Sequence, residues 1–305
     1  MGRWLSRRAF LKTGLAAAGI ATMGGCGVQS SGPRPAGDSL APQDDGNPCG
    51  TDYEILRRNL GRTGEGVSIF GIGGQRMSAA DAPQILRAAL DAGVNYLDTC
   101  RTYGVSEASW GPVVAERRNE VFLVSSCDAR TRDGILADLD ASLAALQTDY
   151  VDAYLLHALC RSPATEVTDG AIDAFETAKA DGRIRFSGFS PHADDSTIMG
   201  YLDRYDFDII RLFTTMSADV DYVSPLANAR VRDRLLERNM GVLGMKVFTN
   251  GGIFAEFPDK TVADFLGYVW DSFPIHSALV GVKTTRELDD DIAAARDYTR
   301  SLFPQ

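Results

Sequence analysis

From residue 67 onward, short apolar runs recur eight times, at 67–74, 96–98, 121–124, 151–157, 186–190, 209–213, 242–247 and 278–282. Most are separated by stretches of helical period. Residues 79–93 place Ile85, Leu86, Ala89 and Leu90 on one face, and 132–146 place leucine or isoleucine at 135, 136, 139, 143 and 146. Further helical stretches are read at 172–179, 230–238, 262–270 and 286–298. Strand and helix alternating in this way specify an α/β fold with a parallel sheet, and eight repeats specify a single (β/α)8 TIM barrel with its helices outside. A doubly wound open sheet is the other option. It is disfavoured because no Gly-x-Gly-x-x-Gly follows the first run.

The barrel accounts for residues 53–305, beginning with a short hairpin lid over 53–64. Residues 1–26 read as an address. Arg7 and Arg8 precede a weakly apolar run, 14–23, far short of the roughly 20 residues that span a bilayer, as expected for a twin-arginine export signal. Met23-Gly24-Gly25-Cys26 has the small residues of a lipoprotein cleavage site, so lipidation of Cys26 is one outcome and simple cleavage the other. Residues 27–52 are rich in Gly, Pro, Ser and Asp, without apolar period, and read as a disordered linker. The expected partners are therefore the export machinery and, where Cys26 is lipidated, a membrane anchor. The expected location is the periplasm or the membrane surface. The formal charge of −10 and the lack of a basic patch exclude nucleic acid as an expected partner.

Chemistry in such a barrel sits where the strands end. Asp98, Ser126, His157, Ser190, Arg211 and Lys246 all fall at or near those positions. Tyr103 follows Asp98 by five residues, on a loop, with Gly104 behind it. A phenol beside a buried carboxylate can donate a proton if something lowers its pKa from about 10. A plainer role also stands, with Asp98 capping the next helix and Tyr103 covering a core edge.

Four stretches together resemble the aldo/keto reductase family, over residues 56 to about 292. They are Leu60-Gly61-Arg62-Thr63-Gly64, Asp98-Thr99 followed by Tyr103-Gly104, Leu146-Gln147-Thr148-Asp149-Tyr150-Val151-Asp152 running to His157, and Gly188-Phe189-Ser190. The resemblance implies NADP(H) bound in an extended pose across the barrel mouth. It also implies hydride transfer between the nicotinamide and a small carbonyl or alcohol substrate. Tyr103 is then the proton donor, His157 orients the carbonyl, and Asp98 completes the set. The family's lysine does not carry over, because Ser126 occupies its place. Tyr103 is thus expected to lose its acidifying neighbour and Asp98 its counter-ion, unless Ser126, backbone amides or an inward-turned Arg101 compensate.

The cofactor side implied by the resemblance comprises Gly74, Ser190, Arg211, Lys246, Lys283 and Arg286. Arg211 stands where the family usually has a glutamine or asparagine, and Lys246 where it often has an aromatic. Glu287 and Asp291 stand where it has an arginine and an asparagine, which sets a carboxylate against a 2′-phosphate. Two other readings remain open: a degenerate barrel that binds without turnover, and a redox or metal protein. The latter would be built on Cys100, Cys127 and Cys160, with a Cys100–Cys127 disulfide as one form and a thiolate site shared with His157 or His192 as another; the plainer reading makes the three cysteines small buried hydrophobes.

Overall fold

A computed structural model describes residues 55–159, 166–217 and 224–303. The export signal, the linker, Cys26, Cys49 and Cys160 lie outside the described residues. Two short strands, β1 (Arg57–Asn59) and β2 (Gly66–Ser68), pair antiparallel. Eight strands then form a closed parallel barrel: β3 (Phe70–Gly73), β4 (Tyr96–Asp98), β5 (Phe122–Cys127), β6 (Val151–Leu159), β7 (Ile184–Pro191), β8 (Ile209–Phe213), β9 (Gly241–Met245) and β10 (Ser277–Gly281). β10 pairs with β3 and closes the ring.

Helices follow the strands: α1 (Ala82–Asp91), α2 (Ser106–Arg117), α3 (Arg132–Leu146), α4 (Asp169–Ala180), α5 (Asp195–Arg204), α6 (Ala229–Glu237), the short α7 (Ile253–Glu256), α8 (Val262–Ser272) and α9 (Thr285–Leu302). Threonine caps start several of them. Thr131, Thr168, Thr261 and Thr284 each accept a backbone N–H of the first turn, and Thr261 forms a capping box with Asp264.

Strand periodicity divides the core in two. Tyr96, Phe122, Val124, Ala153, Leu155, Ile209 and Leu243 point inward and fill the barrel with Leu60 and Val67. Their odd-register neighbours, such as Leu97, Leu123, Tyr154, Ile210 and Val242, point outward and pack under the helices. Each such fully buried aliphatic side chain contributes roughly 1.5–3 kcal/mol.

Two expectations change. The hairpin pairs 57–59 with 66–68, and it closes the end of the barrel where strands begin. Leu60 packs inside and Arg62 N–H donates to Asn239 O, just before β9. It is therefore a floor, away from the strand C-termini, and not a lid over them. Helices α2 and α5 escaped the apolar pattern. The buried face of α2 includes Ser106, Glu107 and Gly111, with Pro112 inside the helix, while α5 buries only Ile198 and Leu202. Cys100 and Cys127 are buried free thiols, in keeping with the plainer reading of them as small buried side chains and not with the alternative of a disulfide. The Cys127 side chain faces the helix layer, whereas Cys100 Sγ sits 3.2 Å from Thr102 Oγ1.

Candidate active site

The inward register that fills the barrel also builds its mouth. Two residues beyond Tyr96, Val124, Leu155, Gly188, Ile209 and Leu243 stand Asp98, Ser126, His157, Ser190, Arg211 and Met245. The polar set is thus the next layer of the same interior, at the C-terminal ends of the strands.

Asp98 is 1% exposed, and so is Arg211. Arg211 Nη1 donates to Asp98 Oδ1, making a fully buried ion pair. β4 and β8 are four places apart in the eight-stranded ring, so the guanidinium crosses the whole mouth. Tyr96 Oη donates to the other carboxylate oxygen, Asp98 Oδ2, at 2.7 Å. Gly71 makes room for this tyrosine, since a Cβ there would lie 2.1 Å from the Tyr96 ring. Arg211 Nε donates to Ser190 Oγ at 3.3 Å, and Nη2 has no partner among the described residues.

This corrects the expectation that Asp98 lacks a counter-ion. The compensating groups considered from sequence are engaged elsewhere: Ser126 Oγ donates to Thr99 O at 3.4 Å, and Arg101 pairs with the buried Glu107. A cation on a distant strand was not legible from local motifs. Inward parity with Ile209 was the available signal.

Tyr103 sits on a pinned loop. Arg101 N–H donates to Ser126 O at 2.8 Å, Tyr103 N–H to Cys100 O at 3.0 Å, and Ser106 N–H to Tyr103 O at 3.1 Å. Gly104 takes the left-handed φ of 61° that lets the loop turn into α2. Tyr103 Oη is 3.5 Å from His157 Nε2, and the rings meet edge to face at 5.7 Å. The phenol is pushed up to about 12 by burial, against which the Arg211 guanidinium pulls down while Asp98 adds to the rise. Tyr103 therefore holds its proton at neutral pH. Burial also depresses Lys246 and His157, and Arg211 lowers both further.

His157 owes its aim to a bulge. The β6–β7 register shifts between Leu156 and Leu159, and Ala158 takes φ 50°. Its Nδ1 lies 2.9 Å from Asp128 Oδ1, a residue that sequence reasoning passed over because it stands one place beyond β5. His192, with its ring 6.1 Å from His157 and 4.9 Å from Phe213, extends the aromatic wall.

A cavity of about 340 Å³ runs from Asp98, Tyr103 and Arg211 past Lys246 to Lys283, Glu287, Asp290 and Asp291. Arg76, Lys246 and Lys283 line it with cations, and Met245, Phe248, Phe254 and Leu279 with apolar surface. Gly73 lines it in place of Gly74, while Ser190 and Arg286 do not reach it. Lys246 turns in through φ 61°, beyond the end of β9.

An extended dinucleotide phosphate fits these residues: cations for its phosphates, an apolar wall for its rings. The feared carboxylates are tempered. Glu287 Oε2 accepts the Lys283 N–H at 2.6 Å. Asp291 is 3% exposed, and burial, with Glu287 and Asp290 beside it, raises its pKa well above the ordinary value. A second cavity, about 570 Å³, lies at the opposite end of the barrel. It is larger, but Arg118, Arg185, Glu65 and Asp152 there are paired with one another. Among the described residues no group of three His, Cys, Asp or Glu gathers for a metal.

The Aldo/keto reductase family profile matches residues 64–263. An uncharacterized oxidoreductase of Bacillus subtilis, YqkF, is 32% identical over 152 residues, 45% of this chain and 49% of that protein, so the chain spans about half the length of the curated relative it matches. The holo form of aldo-keto reductase AKR11C1 from Bacillus halodurans superposes with a TM-score of 0.66 at 21% identity, over 82% of this chain and 96% of that one. A Bombyx mori aldo-keto reductase solved with NADP gives 0.62 at 16%, over 82% and 93%. Profile, barrel and mouth agree: the chain belongs to the aldo/keto reductase family.

Proposed function

We propose that the protein is an NADP(H)-dependent oxidoreductase that interconverts a small carbonyl compound and its alcohol. The observation that carries this reading is Tyr103 Oη, 3.5 Å from His157 Nε2 and beside the buried Asp98–Arg211 pair, at the head of a cavity that runs on to the cations Lys246 and Lys283. The family relationship and the oxidoreductase name of the Bacillus subtilis relative support it. When bound, the nicotinamide supplies or accepts the hydride.

The chain's own residues handle the proton and the charge. Tyr103 gives its phenolic proton to the carbonyl oxygen in reduction and regains it in oxidation. Arg211 supplies the positive charge that the family's lysine otherwise provides, and it stabilises the phenolate as the proton leaves. Asp98, held by Arg211 and Tyr96, keeps the guanidinium in place. The unpartnered Nη2 of Arg211 offers a further donor to an oxygen in the cavity.

Tyr103→Phe removes the donor alone. Turnover of small aldehydes with NADPH is expected to fall roughly a hundredfold or more. Unchanged turnover would exclude the assigned role, whereas nucleotide binding without turnover in the wild type would favour a binding barrel.

Export by the twin-arginine route, with Cys26 processed, is proposed on the strength of Arg7-Arg8 and the short apolar run. Replacing both arginines by lysine is expected to hold full-length precursor in the cytoplasm, as read by fractionation. Undiminished delivery would defeat the proposal.

A further inference from the structure

A lysine beside the catalytic tyrosine can serve in two capacities, as a charge and as a proton carrier. Arg211 can serve only in the first. A guanidinium does not give up its proton in a protein, and here Asp98 holds it in the charged form although burial pulls the other way. The Asp98 side of the site therefore offers Tyr103 no exchangeable proton through its cation. Proton traffic to and from Tyr103 needs another route.

The other side of the phenol provides one. Tyr103 Oη is 3.5 Å from His157 Nε2, and His157 Nδ1 is 2.9 Å from Asp128 Oδ1. The Asp128 side chain is 50% exposed and His157 only 15%, so a half-exposed carboxylate anchors a nearly buried imidazole beside the phenol. A carboxylate can only accept, so Nδ1 carries the hydrogen and Nε2 turns its lone pair to the phenol. This is the arrangement of a nucleophile–histidine–aspartate triad, with a phenol in the first place. The β6 bulge and the Arg130 guanidinium donating to His157 O hold the imidazole there.

Resting on the reductase reading above, we infer that Asp128 is the positioning residue of the Tyr103–His157 pair, holding the imidazole as the acceptor of the phenol's proton. In alcohol oxidation the substrate hydroxyl passes its proton to Tyr103 Oη as hydride leaves carbon for the oxidised nicotinamide. Tyr103 passes its own proton to His157 Nε2. The imidazolium that forms keeps its Nδ1–H on Asp128 and later releases the Nε2 proton to water. Reduction runs the same steps backward, from imidazolium to phenol to carbonyl oxygen.

Beyond Asp128, the charged and titratable groups around His157 are Tyr103, Asp98, Arg211, His192 and Arg130. Burial and Arg211 hold the imidazole below its ordinary value, with Asp128 and Asp98 opposing. The resting site is thereby set to accept a proton.

Asp128→Asn tests this role. The side chain is half exposed, so the fold is expected to survive, and melting temperature checks this. Loss of the negative charge makes His157 a weaker base. The rate of alcohol oxidation is expected to fall on the order of a hundredfold, with the acid limb of its pH profile moving to lower pH, and Asp128→Glu is expected to restore part of both. The imidazole nitrogen shifts of His157, read by NMR without cofactor, should show the Nδ1–H tautomer in the wild type and its loss in Asp128→Asn. An unmoved acid limb with an unchanged tautomer overturns the inference and leaves the reductase reading intact. No turnover by the wild type with a panel of alcohols and aldehydes overturns both.

Discussion

Arg211 is the residue on which the site's electrostatics depend. Its partner Asp98 is buried beneath the mouth, so removing the cation leaves an uncompensated charge that costs about 3–5 kcal/mol. Arg211→Met is expected to lose stability of that order in urea unfolding, and its phenol titration should move upward, since the guanidinium that pulls Tyr103 down is gone. This changes what a lysine at position 126 can do. Ser126→Lys alone adds a second cation to a layer where Asp98 is already paired, in a site that is fully buried. It is expected to destabilise by roughly 1–3 kcal/mol and to bring no gain in turnover. The double variant Ser126→Lys with Arg211→Met restores one cation per carboxylate and should be more active than either single variant. Failure of the double variant to exceed Arg211→Met would show that the guanidinium acts by more than its charge.

At the level of elements, the eight strands and most helices were legible because each carries its own period, and α3 begins and ends where the leucine pattern does. Asp98, His157 and Tyr103 could be singled out from short motifs, the first two at strand ends and Tyr103 on the loop that follows β4. Arg211 was placed in the site but not in its role, because its partner lies on a strand across the ring and no local spacing records that reach. Asp128 was missed because it stands one place beyond β5, where strand parity no longer says what a side chain reaches.

The seam between β9 and β10 shows another local feature with a wide effect. Only Ser277 and Ala278 pair directly with β9 there, and the buried His276 Nδ1 accepts the Val242 N–H at 3.0 Å. Burial lowers this imidazole to about 4 from the ordinary 6.5, against a backbone bond to Val242. The unfolded chain therefore takes up the proton first, and stability present above about pH 6.5 is lost as pH falls toward 4. Each pKa unit is worth about 1.4 kcal/mol, so the loss is roughly 3 kcal/mol. Urea unfolding across that window should show the slope, and His276→Gln should flatten it. An unaltered slope in the variant would assign the loss to other groups.

Across the whole molecule, the barrel joins its first strand to its last, and Leu56 N–H reaches Thr299 Oγ1 at 3.1 Å. Most of the core is local by comparison, each strand lying against the next. The Asp98–Arg211 pair is different, because 113 residues separate its members in the chain. At about 5–20 residues per second, a ribosome delivers Arg211 roughly 6 to 23 s after Asp98. During that interval the emerging half-barrel has a carboxylate facing its interior with no cation to meet it, so complete burial of that surface is unfavourable. The ion pair can form only once β8 has been made. The ion pair that organises the mouth thus belongs to the second half of synthesis, when the strand that carries Arg211 reaches the strand that carries Asp98.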